Sequence, residues 1–281
     1  MLHTLLIDAE TLSRHLGEPG WRVFDCRHDL AKPEWGEAEH AKAHIPGACF
    51  AHLDRDLSAP QNGRNGRHPL PAPQAFVAWL GRQGLKPADQ VVAYDGAGGA
   101  MAARLWWLLR WIGHQPVAVL DGGLAKWSAE KRPLEAKVPR FAPTDYLARN
   151  KDGMQVDVGY VAAHLGKPEV TLLDARAPAR YRGETEPIDP VAGRIPGALN
   201  RFNNENLGPE GRFKSASALR AEFEALLGKR APREVVHYCG SGVAACHNQL
   251  AMEIAGLAGS RVYAGSWSEW VADSARPRER G

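Results

Sequence analysis

Along the chain, apolar residues alternate between two kinds of spacing. Short runs rich in Val, Leu and Tyr at 22–25, 90–94, 117–120, 171–174, 234–238 and 261–263 predict buried strands. Between them, apolar positions at helical spacing predict helices at 9–16, 73–82, 158–164, 216–227 and about 243–255, plus a further helix after residue 95. A short Trp-bearing helix closes each half of the pattern. Strands that alternate with helices imply an α/β fold of parallel sheets with helices on both faces. Ligands bind such sheets beyond the carboxyl ends of their strands.

The pattern occurs twice. VFDCRHD (23–29) matches LLDARAP (172–178), and HIPGACF (44–50) matches RIPGALN (194–200). VVAYDGAGGAMAARL (91–105) matches VVHYCGSGVAACHNQ (235–249), and DGGLAKW (121–127) matches AGSWSEW (264–270). The order is kept and the offset stays between 143 and 150 residues, so each copy reads as a domain rather than a solenoid unit. The expected division is an N-terminal domain at 1–138, a polar linker at 139–153 and a C-terminal domain at 154–281.

Composition narrows the class. The 281 residues are 44% hydrophobic and 24% charged, with a formal charge of +3, ordinary for a globular chain and too mild for a nucleic-acid binder. No apolar run nears the length of a membrane span, and the start MLHTLLIDAE does not read as a secretory signal. Four scattered cysteines, Cys26, Cys49, Cys239 and Cys246, suggest reduced thiols in a cytoplasm, with no CxxC pair to hold a metal.

One of the four stands apart. Cys239 follows an apolar strand and opens the loop Cys239-Gly240-Ser241-Gly242, which leads into a helix at Val243 and Ala244. Glycines let successive amides turn towards one point and form an anion nest. A helix N-terminus adds unpaired N–H groups and a positive dipole. Both favour a thiolate, or a persulfide anion, over a thiol. The plainer reading is a small buried apolar residue. Asp95 holds the equivalent place in the first copy, an asymmetry that favours a chemical role for Cys239. Cys26, Cys49 and Cys246 read as packing residues.

These residues resemble the two-domain rhodanese-type sulfurtransferases over nearly the full length. The shared features are the tandem copies, Asp-Ala-Arg after the strand, Ile-Pro-Gly-Ala in each half, Asp-Gly-Gly-Leu-x-x-Trp, and Cys-Gly-Ser-Gly-Val. The last resembles the loop of 3-mercaptopyruvate sulfurtransferases, whereas thiosulfate-preferring relatives carry basic residues there. The resemblance implies tandem rhodanese domains of which only the second is catalytic. It implies a Cys239 persulfide loaded by a small anionic sulfur donor and unloaded by cyanide or a thiol acceptor, such as the protein thiol of thioredoxin. No cofactor and no metal is expected, nor any nucleic-acid or membrane partner, and a monomer suffices.

The resemblance also implies site residues. Arg180 would bind the donor's anionic group, with Arg182 as its helper or as a surface arginine. Gly240, Gly242, Val243 and Ala244 would cradle the persulfide. Ser241, His68 and Asp54 would form a relay that moves the donor's proton. The relatives' second binding arginine after Glu-Pro is missing, because Ile188 and Asp189 stand there; Arg194 is a candidate to replace it. Trp267, in an expected loop, is a candidate for the mouth of the site. Two other classes compete. A Cys-x5-Arg phosphatase would need an arginine where Ala245 stands, and a non-enzymatic sulfur-carrying or binding module would not need the cysteine's nucleophilicity.

Overall fold

A computed structural model of the chain describes residues 2–148 and 151–281. The chain falls into two compact units. The first comprises residues up to 59, residues 71–151 and a short piece at 209–212; the second comprises 60–70, 152–208 and 213–281.

The first unit runs β1 (Leu6–Ile7), α1 (Ala9–Arg14), β2 (Trp21–Asp25), α2 (Trp35–Lys42), β3 (Ala48–Phe50), α3 (Pro73–Arg82), β4 (Gln90–Tyr94), α4 (Ala100–Trp111), β5 (Val117–Leu120) and α5 (Gly123–Ala129). The second repeats the series: β6 (Gln155–Val156), α6 (Val158–Ala163), β7 (Thr171–Asp174), α7 (Pro178–Arg182), β8 (Leu199–Asn200), α8 (Ala216–Leu227), β9 (Val235–Tyr238), α9 (Val243–Ile254), β10 (Arg261–Tyr263) and α10 (Ser266–Trp270). Each unit holds one sheet, ordered β1-β5-β4-β2-β3 and β6-β10-β9-β7-β8, with every pairing parallel.

Burial explains the strand pattern. Every residue of β4, β5, β7 and β9 is buried, as expected where helices cover both faces of a parallel sheet. In the second unit Leu172, Val236 and Tyr238 pack with Val161, Trp267 and Trp270 from α6 and α10. Their strand neighbours Leu173 and Val235 point the other way, onto Leu219, Phe223 and Leu227 of α8 and Ala251 and Met252 of α9. Adjacent residues on opposite faces are the period of two that a strand imposes. Burying a side chain such as Leu173 or Phe223 contributes roughly 1.5–3 kcal/mol, so these faces fix where β9 ends and therefore where Cys239 sits.

The repeat extends to single contacts. Trp127 and Trp270 are fully buried, and each indole N–H donates to a proline carbonyl 2.8 Å away, that of Pro133 and of Pro277. Two elements had no apolar signature. Helix α2 buries only Gly36 and His40, so it shows no stripe, and His40 earns its burial through Asp25, 3.2 Å from its Nδ1. Helix α7 is a single turn that buries nothing; Pro178 starts it and left-handed Gly183 ends it. Trp267 corrects the expectation of a loop residue at a site mouth. It lies in α10, fully buried, donating to the Val191 carbonyl at 2.8 Å, because its strand-facing side completes the core.

Candidate active site

In the second unit Cys239 follows β9 directly, and the chain turns within four residues into α9. Gly242 makes the turn possible. Its φ is +82°, and a Cβ there would stand 2.2 Å from the Ala264 carbonyl oxygen, so a side chain is excluded twice over. The turn aims two amides at the sulfur: the N–H groups of Gly242 and Ser241 donate to Cys239 Sγ at 3.1 and 3.4 Å. Val243 and Ala244 follow in the first turn of α9, where backbone N–H groups lack a helical partner and the dipole is positive. The residue is only 4% exposed.

Ser266 supports the loop from behind. Its Oγ accepts the Cys239 N–H at 3.1 Å and donates to the Tyr263 carbonyl at 2.9 Å. It holds a left-handed φ of +55°, a conformation that costs a non-glycine residue about 1 kcal/mol or more. The N–H groups of Trp267 and Ser268 then grip the Cys239 and Gly240 carbonyls at 3.0 and 2.9 Å.

Ser241 and His68 meet. Ser241 Oγ lies 2.7 Å from His68 Nδ1, and both residues are buried. The serine therefore does not cap α9, whose N-cap is Gly242 without a side-chain bond. Asp54 belongs to the first unit, where its carboxylate lies 4.0 Å from His28 Nε2. His28, His52 and Asp54 each bring a possible ligand atom within 4.8 Å of the others. His52 Nδ1 accepts the amides of Asp54 and Arg55, which puts the ring proton on Nε2 and removes the lone pair a metal would use there.

Arg180 stands over the loop. A Cβ on Gly240 would be 3.5 Å from Arg180 Nη2 and 2.7 Å from Arg67 Nη2, so the glycine leaves room for two guanidinium groups beside the cysteine. Arg180 is held by Glu186 at 2.5 and 3.1 Å and by Asp189 at 3.1 Å. Arg67 pairs with the other oxygen of Asp189, and its N–H donates to Ser268 Oγ at 3.1 Å. Glu186 also receives Arg176, which is paired with Asp174 at the end of β7. Burial alone would push the Glu186 carboxyl up, but the Arg180 hydrogen bond and the Asp189 and Ile188 amides hold it below the usual range. For Asp189, burial and the nearby Glu186 charge win over Arg67 and Arg180, and its carboxyl is raised.

Arg67 and Ser266 are the residues that sequence reading missed. Arg67 neighbours His68 in the chain, and that was its only signal. Two candidates leave the site. Arg182 sits 45% exposed and spends its fork on Glu184 at 2.6 and 3.0 Å. Arg194 ties down the C-terminal segment through Glu279 and the Gly281 carbonyl and stacks 4.5 Å over Tyr181. Neither replaces the missing second arginine. The other cysteines are packing residues. Burial raises the thiol of Cys26 well above its ordinary value and that of Cys49 to about 12, and Cys246 donates to the Gly242 carbonyl at 3.2 Å.

A sulfur anchored on loop amides, in the second of two matching parallel-sheet units, can be set beside known proteins. The model of the rhodanese-like domain matches residues 8–130 and again 157–273. The chain belongs to the two-domain rhodanese-type sulfurtransferases. It is 48% identical to a probable 3-mercaptopyruvate sulfurtransferase of Pseudomonas aeruginosa over 278 residues, 98% of each chain. It is 31% identical to the thiosulfate sulfurtransferase of Bos taurus over 287 residues, 96% of this chain and 94% of that one. The crystal structure of SseA from Escherichia coli, described as a 3-mercaptopyruvate sulfotransferase of rhodanese fold, superposes with a TM-score of 0.82 at 28% identity, over 94% of this chain and 99% of that one. Membership in this family makes the chain an enzyme of sulfur transfer, with a sulfur donor and a sulfur acceptor as its substrates. Among the described residues no helix is long and apolar enough to cross a membrane.

Proposed function

We propose that the second rhodanese domain is the catalytic one and that it moves sulfur from 3-mercaptopyruvate, through a persulfide on Cys239, to cyanide or a thiol. The observation that carries this reading is the Cys239 sulfur held by the Ser241 and Gly242 amides at the start of α9, with Arg180 beside it. Arg180 offers the donor's carboxylate a planar fork. The Cys239 thiolate attacks the donor sulfur, an S–S bond forms, and the C–S bond breaks with its electron pair on carbon. The leaving fragment is the enolate of pyruvate, which needs a proton, while the donor thiol must lose one. His68, hydrogen-bonded to Ser241, takes the proton of the donor thiol and delivers it to the enolate carbon. The persulfide anion then rests against the amides of Gly240–Ala244 until an acceptor thiol, such as that of thioredoxin, or cyanide removes its outer sulfur. Four free cysteines suit a reducing cytoplasm, and a single chain carries every group the reaction uses, so a monomer is sufficient.

Thiosulfate as the main donor is the second reading, favoured by Arg67 beside Arg180. Steady-state transfer to cyanide from each donor, with wild type and Cys239→Ser, decides between them. We expect 3-mercaptopyruvate to win by about tenfold or more in kcat/KM, about 1.4 kcal/mol of transition-state preference, and the serine variant to be inactive with both. A thiosulfate preference reverses the donor assignment, and an active serine variant removes the persulfide.

A further inference from the structure

The missing second arginine and the aspartate that stands in its region belong together. Asp189 is 7% exposed, and its two oxygens each hold a different guanidinium, that of Arg67 and that of Arg180. Those two guanidinium groups are the ones that crowd the open side of Gly240. Arg67 comes from the segment 60–70, and Asp189 joins it to Arg180, which α7 supplies. Counting the charges in contact gives Arg67, Arg180 and Arg176 against Asp189, Glu186 and Asp174, so the anion seat has two donor forks and no net charge. Such a seat still offers hydrogen bonds to a carboxylate. It gives up the long-range attraction that a doubly charged anion would gain from two uncompensated cations.

We infer that Asp189 is the residue that sets donor choice: it holds Arg67 in the place of the missing arginine and cancels enough charge to favour a singly charged carboxylate donor over a dianion such as thiosulfate. This rests on the sulfur-transfer reading above and names the determinant of its specificity. Asp189 is a positioning residue in this account, acting through Arg67 and Arg180.

The test is kcat/KM for both donors in wild type, Asp189→Asn and Arg67→Gln, with cyanide as acceptor. Asp189→Asn keeps the shape and removes the charge. The thiosulfate-to-mercaptopyruvate ratio is expected to rise about tenfold, chiefly through a lower KM for thiosulfate, with a steeper fall in thiosulfate activity as salt is added. Arg67→Gln is expected to shift the ratio the opposite way by a similar factor. Equal loss with both donors in both variants, at unchanged ratio, would mean that Asp189 is merely structural and overturns the inference. Thermal unfolding of each variant separates misfolding from a changed site, and Arg67→Gln keeps the question open to test if Asp189→Asn does not fold. Wild type inactive with both donors would instead overturn the sulfur-transfer reading on which the inference rests.

Discussion

The loop after β4 and the loop after β9 are two outcomes of one architecture. Each leaves the centre of a parallel sheet, each is gripped through its first two carbonyls, and each enters its helix through a glycine at φ +82°, Gly99 or Gly242. The gripping bonds recur almost to the tenth of an ångström: Leu124 and Ala125 hold the Asp95 and Gly96 carbonyls at 2.9 Å, as Trp267 and Ser268 hold those of Cys239 and Gly240. Even the unusual left-handed residue behind the loop recurs, as Gly123 at φ +57° and Ser266 at φ +55°. The difference is what occupies the nest. The first loop is one residue longer, and the Asp95 carboxylate accepts the amides of Gly99, Met101 and Ala102 at 2.9–3.2 Å. The first copy has built its anion in. The second gives its sulfur two amides and leaves the first turn of α9 for the outer sulfur of the proposed persulfide. A nest filled by its own side chain is a structural cap; a nest filled in part is a place for chemistry.

If that contrast is right, the second loop should depend on the proton route that the first lacks, since Ala97 stands where the first loop has no hydroxyl. His68→Ala is expected to slow loading of Cys239 from 3-mercaptopyruvate by about 100-fold or more. Cyanide attack on a preformed persulfide should change by less than a few-fold, because that step needs no proton from the donor. Single-turnover measurements of the two half-reactions check this. Equal losses in both would make the Ser241–His68 contact a structural one.

The built-in anion has a pH signature of its own. Burial, outweighing the three amides, raises the Asp95 carboxyl from 3.8 to about 6. A folded value above the unfolded one means that the native state binds the proton more tightly. The stability this group contributes is thus full below about pH 4 and is lost as pH rises through about 6. Urea unfolding of wild type and Asp95→Asn at pH 4.5 and 7 should show the wild type losing about 2 kcal/mol relative to the variant over that interval. A flat difference would show that the nest, not burial, controls this carboxylate.

How far the sequence carried depends on what each feature rests upon. The six inner strands, the helices at 73–82 and 216–227 and the duplication were legible because burial on two faces writes apolar runs and helical stripes; the edge strands β1, β3, β6 and β8, two or three residues long, are too short to write such a run. Helix α2 was not, because a polar residue, His40, does its packing through Asp25. Cys239 was legible from its glycines and from the contrast with Asp95. Arg67 and Ser266 were not, because their roles arise from pairing across long stretches of chain: Arg67 with Asp189, and Ser266 with the Cys239 amide. No local pattern marks a serine held at positive φ to accept one N–H.

Arg180 and Arg182 make the smallest and sharpest comparison, two arginines on one helical turn with opposite fates. Residues two apart on a helix do not share a face. Arg180 therefore turns inward to Glu186 and Asp189, with its side chain 17% exposed, while Arg182 turns outward to Glu184. The outer pair is solvated on both sides, and such pairs contribute little. Arg182→Ala is expected to leave kcat/KM for both donors within about twofold of wild type, whereas Arg180→Ala removes the fork proposed to meet the donor. Parallel kinetics of the two variants decide it. A large loss from Arg182→Ala would show that the turn rearranges when donor binds, bringing the second arginine of α7 to the site after all.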